Sequence, residues 1–282
     1  MSHISSTCSI IIVTHNSEKV LHKAMECLKV QTAPAQRILL VDSGSSSPDY
    51  LNQYKAWGNV QVILAGKDIG FCKGNNVGVA EVLGKTDYLL FLNPDAFLHP
   101  SFLEEAALFM DKRENKRVGV ITSPLLGYDI NADKPTDLYD STGVFQNWYG
   151  RWYDRHQREY VSAHTYYEAH AVPAICGALM FCRMSALEEV LLPGMQVFDE
   201  RFYMYKEDIE LSLRLEKKEW ELQLVPSLIA YHCRGWHQSR AKVPRKFRKM
   251  SAFNEMRLHW RYRPQFWPYS FAKYLAVLLI DY

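Results

Sequence analysis

Short, wholly apolar runs alternate along this chain with longer stretches in which apolar residues recur every three or four positions. Residues 9–14, 37–42, 60–64, 88–92 and 118–122 have strand length and little polar interruption. That is the pattern of strands covered on both faces of a parallel sheet. Between the first two runs, Val20, Leu21, Ala24, Met25 and Leu28 keep helical spacing, and Asn16 or Ser17 stands where a cap belongs. Residues 101–112 predict another helix, with Ser101 and Glu104 set as a capping box. Strand alternating with helix over 9–122 implies βαβ units and a mainly parallel sheet. Right-handed crossovers then bring the carboxyl ends of strands one, two and four to one edge, where open α/β sheets bind ligands. That edge would gather Thr14, His15 and Asn16, then Asp42, then Asn93 and Asp95, with Pro94 stopping the fourth strand. An Asx-type turn explains Asn93-Pro94-Asp95 equally well on that stretch alone.

The second half is less regular. Residues 127–170 are aromatic and polar without periodicity and predict loops with one hairpin. Residues 175–183 read as a buried strand in which Gly177 permits close backbone approach. A helix starts at Ser185 and stops at Pro193-Gly194. Residues 205–218 read as a helix on their Glu, Leu, Arg and Lys content, although Ile209, Leu211, Leu213 and Leu215 alternate as in a strand. Strands at 221–225 and 228–232 follow.

Composition matters here mainly for what it excludes. A chain of 282 residues, 48% hydrophobic and 23% charged, is an ordinary globular protein, and a net charge of +2 gives no global attraction to nucleic acid. Six scattered cysteines without a CxxC pair argue against a zinc or disulfide framework and for a reducing, cytosolic setting. The start of the chain lacks the basic segment of a signal peptide, and no run approaches the roughly 18 apolar residues of a membrane span. Cations do crowd into residues 234–263, among them Arg240, Lys242, Arg245, Arg248 and Arg257, and Phe266, Trp267, Tyr269 and Phe271 follow. This suits a solvated helical face, or a contact with the anionic inner leaflet. It suits nucleic acid less, because the aromatics lie beyond the cations.

Carboxylates gathered at one edge repel each other unless a cation lies between them. A divalent ion bound by one or two carboxylates and by substrate phosphates is the usual solution, and it could stabilise a leaving diphosphate. A separate acid, Asp208 or Glu207, would then deprotonate an acceptor hydroxyl; helix-dipole compensation explains that pair without any chemistry. Gly70, Gly74 and Gly78 do not form the dinucleotide fingerprint, and there is no P-loop.

Six segments then carry a resemblance in their order: Ile11–Asn16 (IIVTHN), Val41–Ser46 (VDSGSS), Asp68–Gly78 (DIGFCKGNNVG), Phe91–Asp95 (FLNPD), Cys176–Met180 (CGALM) and Tyr203–Arg214 (YMYKEDIELSLR). Together they resemble the family-2 inverting glycosyltransferases, in particular the bacterial rhamnosyltransferase-like branch, over most of the chain to about Ser239. Phe253–Arg257 (FNEMR) resembles the C-terminal helices of that branch more loosely. The resemblance implies a GT-A, Rossmann-like fold: a mostly parallel central sheet flanked by helices, with a C-terminal helical extension. It implies a nucleotide-sugar-binding half over 1–123, an acceptor-binding and catalytic half over 124–235, and a basic, aromatic tail over 236–282. By the family pattern Thr14, Asn16 and Asp42 hold base and ribose, Gly70 and Asn75 line the nucleotide-sugar pocket, and Asn93 and Asp95 form the DxD element with Asp95 on Mg2+ or Mn2+. Asp208 matches the catalytic base with Glu207 beside it. Gly177 and Ala178 lie near the acceptor, Arg214 supports the helix, and His232 or His237 approaches the metal or diphosphate. Asn93 departs from the acidic residue usual there and leaves one carboxylate for the ion; Glu210 stands for an Asp and His15 for a Tyr.

The implied partners are a nucleotide-diphosphate sugar (dTDP-rhamnose or a UDP-sugar), a polyprenyl-linked or cell-surface glycan acceptor, and a second copy in a homodimer. The implied location is cytoplasmic, peripheral at the inner face of the cell membrane. A nucleotidyltransferase is the nearest rival, but it needs a glycine-rich basic loop where His15-Asn16-Ser17 stands. A degenerate transferase kept as a binding partner is the non-enzymatic alternative.

Overall fold

The computed structural model describes residues 6–233 and 243–279, so His237, Arg240 and Lys242 lie outside the described residues. The first half builds as its pattern predicts. In chain order come β1 (Cys8–Thr14), α1 (Glu18–Lys29), β2 (Arg37–Asp42), a 3-10 helix (Pro48–Ala56), β3 (Val60–Leu64), α2 (Gly70–Val82) and β4 (Tyr88–Leu92). β1 pairs in parallel with β2 and β4, and β2 with β3. Ile10, Ile11, Ile12, Leu89, Leu90 and Phe91 are wholly buried, which is why these runs carry no polar alternation.

Gly74 and Gly78 prove to be packing residues. A Cβ at either would lie 2.7–2.8 Å from the side chain of Val13 or Ile11, so both let α2 lie close on β1. The two predicted caps do not form. Ser17 precedes α1, but its hydroxyl accepts from His15 N instead. Ser101 makes no side-chain cap, and Glu104 accepts from Thr32 Oγ1.

The chain continues through β5 (Ala96–Leu98), α3 (Phe102–Asp111), β6 (Val118–Thr122), β7 (Leu125–Asp129), β8 (Lys134–Ser141), β9 (Val144–Gln146), β10 (Trp152–Asp154), β11 (His170–Ala171) and β12 (Leu179–Arg183). After these come α4 (Met184–Glu189), α5 (Glu207–Glu216), β13 (Glu221–Leu224), β14 (Ala230–His232), α6 (Arg245–Tyr262) and α7 (Trp267–Leu279). The main sheet runs β11-β13-β6-β12-β4-β1-β2-β3, and a second sheet runs β5-β14-β7-β8. β12 lies antiparallel between β4 and β6. It starts four residues later than its apolar run suggests, because residues 175–178 form a turn.

The aromatic middle is more ordered than expected. It holds two hairpins, β7–β8 and β9–β10, and the edge strand β11. The alternating apolar pattern of α5 also has a cause. Residues 209–215 are buried all round the helix, polar Glu210, Ser212 and Arg214 included, so no face needs to be polar. No helix among the described residues is long and apolar enough to cross a membrane.

Candidate active site

A cavity of about 570 Å³ opens beyond the carboxyl end of β4. Asn93 and Asp95 line one side, the 176–178 turn and the start of α5 the other, and Val144, Trp152, Tyr153 and Asp154 of the β9–β10 hairpin form a wall. Ser251 shows that α6 contributes as well. β4 ends at Leu92, Asn93 N donates to Ala178 O at 2.9 Å, and Ala96 N turns back to Asn93 O. The turn therefore aims Asp95 at the cavity and delivers the chain into β5.

His232 meets Asp95 there, with Nε2 at 3.2 Å from Oδ1, and its Nδ1 lies 2.8 Å from Asp140 Oδ2. Burial lowers the pKa of this imidazole, but the carboxylates of Asp95 and Asp140 outweigh burial and push it up to about 9. Asp140, at the end of β8, was not singled out from sequence. Its partner lies on β14, and nothing local in Leu138-Tyr139-Asp140-Ser141 marks it. The trio fits a divalent cation. An ion would displace the Nε2 proton, with Asp140 accepting from Nδ1–H and so leaving the Nε2 lone pair for the ion beside Asp95, as carboxylates behind metal-binding histidines commonly do. One carboxylate and one imidazole leave the remaining coordination to phosphate oxygens and water.

Asp208 stands in the first turn of α5. Its Oδ2 accepts from Gly177 N at 2.9 Å and its Oδ1 from Ile209 N at 2.8 Å. A Cβ on Gly177 would lie 3.2 Å from Asp208 Cβ, so glycine is what lets the turn come this close. Burial raises the pKa of Asp208 above the ordinary range, while the Gly177 N–H pulls it down. Glu207 is raised by burial and by Asp208 next to it. Its Oε2 is buried and has no hydrogen-bond partner.

Thr14, Asn16 and Asp42 come together at the ends of β1 and β2, outside this cavity. Asp42 Oδ1 accepts from Thr14 Oγ1 at 3.1 Å, and its Oδ2 accepts from Ser45 N. Asn16, with φ +49°, takes Ser46 N and Oγ on its Oδ1. Gly70 (φ +76°) is covered by the Tyr203 ring, which a Cβ would strike at 2.5 Å. Asn75 is 1% exposed, bonds Phe71 O within α2, and does not reach the cavity. Ala178 lines the cavity. Arg214 lies behind it, paired with Glu210 at 2.9 Å and donating to the carbonyls of Val190 and Val197.

His156, Glu159 and His164 form a second cluster of metal-ligand types. The two imidazoles are stacked 3.6 Å apart at 10°, so their lone pairs lie in nearly parallel planes and do not converge on one point.

The sheet order is that of a GT-A fold, and solved structures show the same fold. The chain superposes on GalNAc-T7 with UDP, GalNAc and Mn2+ at TM-score 0.69 and 18% identity, over 95% of this chain and 51% of that longer one. It superposes on the mannosyltransferase PcManGT from Pyrobaculum calidifontis, in complex with GDP-Man and Mn2+, at TM-score 0.60 and 12% identity, over 98% and 71%. Glycosyl transferase family 2 matches residues 9–191, and the chain belongs to that family. Rhamnosyltransferase WbbL of Escherichia coli K12 is 27% identical over 248 residues, 85% of this chain and 88% of that protein. The N-acetylglucosaminyl-diphospho-decaprenol L-rhamnosyltransferase of Mycobacterium tuberculosis is 24% identical over 242 residues, 79% and 75%. The protein is a glycosyltransferase of family 2, similar to these bacterial rhamnosyltransferases.

Proposed function

We propose that this enzyme moves a sugar with inversion from a nucleoside-diphosphate donor, dTDP-rhamnose or alternatively a UDP-sugar, to a hydroxyl of a polyprenyl-diphosphate-linked glycan. One observation carries the reading: Asp208 lines the same cavity as Asp95 and His232, so a base and a diphosphate site flank one space. Asp208 takes the proton of the acceptor hydroxyl, whose oxygen bonds the anomeric carbon as the bond to the diphosphate oxygen breaks. The raised pKa of Asp208 makes it a stronger base than an exposed aspartate. Asp95 and His232 would hold Mg2+ or Mn2+, which supplies charge neutralisation for the departing diphosphate. Imidazole in the donor set favours Mn2+. Thr14, Asn16 and Asp42 shape the base and ribose end, Gly70 and Asn75 set the position of α2 beneath it, and Asn93 faces the sugar. Gly177 and Ala178 bound the acceptor side. The lipid-linked acceptor rests on the mycobacterial relative, an N-acetylglucosaminyl-diphospho-decaprenol L-rhamnosyltransferase.

The test is Asp208→Asn with a panel of nucleotide sugars. Transfer should fall about 10²–10⁴-fold while nucleoside-diphosphate binding persists; near-wild-type transfer would remove Asp208 from the mechanism. The peripheral-membrane role has its own support. Trp260, Phe271, Leu275 and Leu279 are exposed on α6 and α7, with Trp267 stacked on Phe271 at 4.9 Å. Serine at Trp260 and Phe271 should halve, or more than halve, co-sedimentation with anionic vesicles; unchanged binding counts against this face.

A further inference from the structure

The segment that delivers the proposed base into the cavity has an unusual backbone. Tyr203 (φ +60°), Tyr205 (φ +70°) and Lys206 (φ +72°) are all left-handed, three residues with side chains within four positions. Each such conformation is unfavourable and persists only where its surroundings hold it. Lys206 is the residue from which α5 starts, so Glu207 and Asp208 inherit their direction from this turn.

What holds the turn comes from the other end of the chain. Asn254 of α6, 2% exposed, points its amide nitrogen at the carbonyl oxygens of Phe202 (2.8 Å), Met204 (2.9 Å) and Tyr205 (3.0 Å). The one carbonyl it skips, that of Tyr203, accepts from Cys72 N of α2 at 3.0 Å. Four consecutive carbonyls are thus fixed, three of them by one side chain whose two N–H groups must be shared among them. The donor side touches the same turn: the Tyr203 ring covers Gly70, and a Cβ there would meet it at 2.5 Å.

We propose that Asn254 is a positioning residue for the transfer step: by clamping the 202–205 carbonyls, it sets the direction in which Asp208 meets the acceptor hydroxyl. The inference rests on Asp208 as base. It makes α6 part of the reaction centre, with neither substrate touching Asn254. Replacement by alanine removes a donor from three carbonyls, of which Phe202 O keeps Met204 N, and frees the left-handed turn to relax; a misplacement of about 1 Å at a reacting group costs roughly 10²-fold in rate.

The experiment compares Asn254→Ala and Asn254→Asp with the wild type in the full-length enzyme. Aspartate keeps the shape but removes the donor hydrogens. Rates are taken at saturating donor and acceptor, well below each variant's melting temperature, and nucleoside-diphosphate affinity is measured by titration in Mn2+. We expect kcat to fall at least 10-fold in both variants, with donor KM and nucleoside-diphosphate affinity within twofold of wild type. Asn254→Gln, which keeps the amide, should recover part of the loss. If alanine yields no soluble protein, Asn254→Ser, which retains one donor, carries the same comparison. A kcat within twofold of wild type overturns the proposal, and so does a parallel loss of donor affinity, which would mean general packing. Asp208→Asn is run alongside. Near-wild-type transfer there refutes the base assignment itself, whereas an inactive Asp208→Asn beside a fully active Asn254→Ala refutes only the clamp.

Discussion

Replacing Gly177 by alanine would probe the placement of Asp208, the proposed base, with a single methyl group. The built Cβ lies 3.2 Å from Asp208 Cβ and 3.4 Å from its Oδ2, inside the ~3.5 Å at which carbon atoms are normally in contact. Gly177 is not among the residues of positive φ, so alanine fits the backbone and only the methyl acts. Asp208 must give way by a few tenths of an ångström, which loosens the 2.9 Å bond from Gly177 N. If about 1 Å is worth roughly 10²-fold in rate, a third of that distance gives about a 5-fold loss. Weakening the hydrogen bond by about 1 kcal/mol takes the loss to roughly 25-fold. Stability should change by less than about 1 kcal/mol, a melting shift of no more than about 3 °C. Nucleoside-diphosphate release at saturating donor, with acceptor varied, reads kcat, and a circular dichroism melt reads stability. Donor KM should stay within twofold. Full kcat in Gly177→Ala, together with an active Gly177→Val, would refute the idea that this contact positions the reactive group.

Other substitutions separate the remaining parts of the site. Glu207 has a folded-state pKa above its unfolded value, so its contribution to stability is complete below about pH 4.5 and is lost as pH rises towards the folded pKa. Glu207→Gln should therefore gain in melting temperature over wild type from pH 5 to pH 8, by the equivalent of about 1 kcal/mol or more; a constant difference would contradict the burial argument. Asp140→Asn should raise the Mn2+ concentration for half-maximal activity about 10–100-fold, and an unchanged requirement would take His232 out of the metal site. Arg214→Met should destabilise by roughly 3 kcal/mol, because it leaves the buried Glu210 to Arg261 and Tyr262 alone; denaturant melts would show it, and a loss below about 1 kcal/mol would mean those two partners suffice.

Much of the architecture was legible because the strands that carry it are buried on both faces. β1, β2 and β4 show unbroken apolar runs, and their ends gave Thr14, Asp42 and Asp95 directly. What the sequence hid was whatever depends on a distant partner. Asp140 acquires its role from His232, and nothing near either residue encodes that pairing. Gly177 was expected to permit close backbone approach, but that its N–H holds Asp208 was not legible. The capping box at Ser101 failed because Glu104 found Thr32, on a segment outside the helix. The middle was expected to hold one hairpin and holds two; β7 and β8 gain from β14, which enters about 90 residues later and completes their sheet.

The antiparallel insertion of β12 has a further consequence. Asn93 N donates to Ala178 O, and Gly177 N donates to Asp208, so the turn after β4 and the proposed base are joined through adjacent residues of the turn that leads into β12. The reach of the reaction is thereby tied to the spacing of neighbouring strands, about 4.8 Å, and cannot drift without slipping the register of β12 on β4.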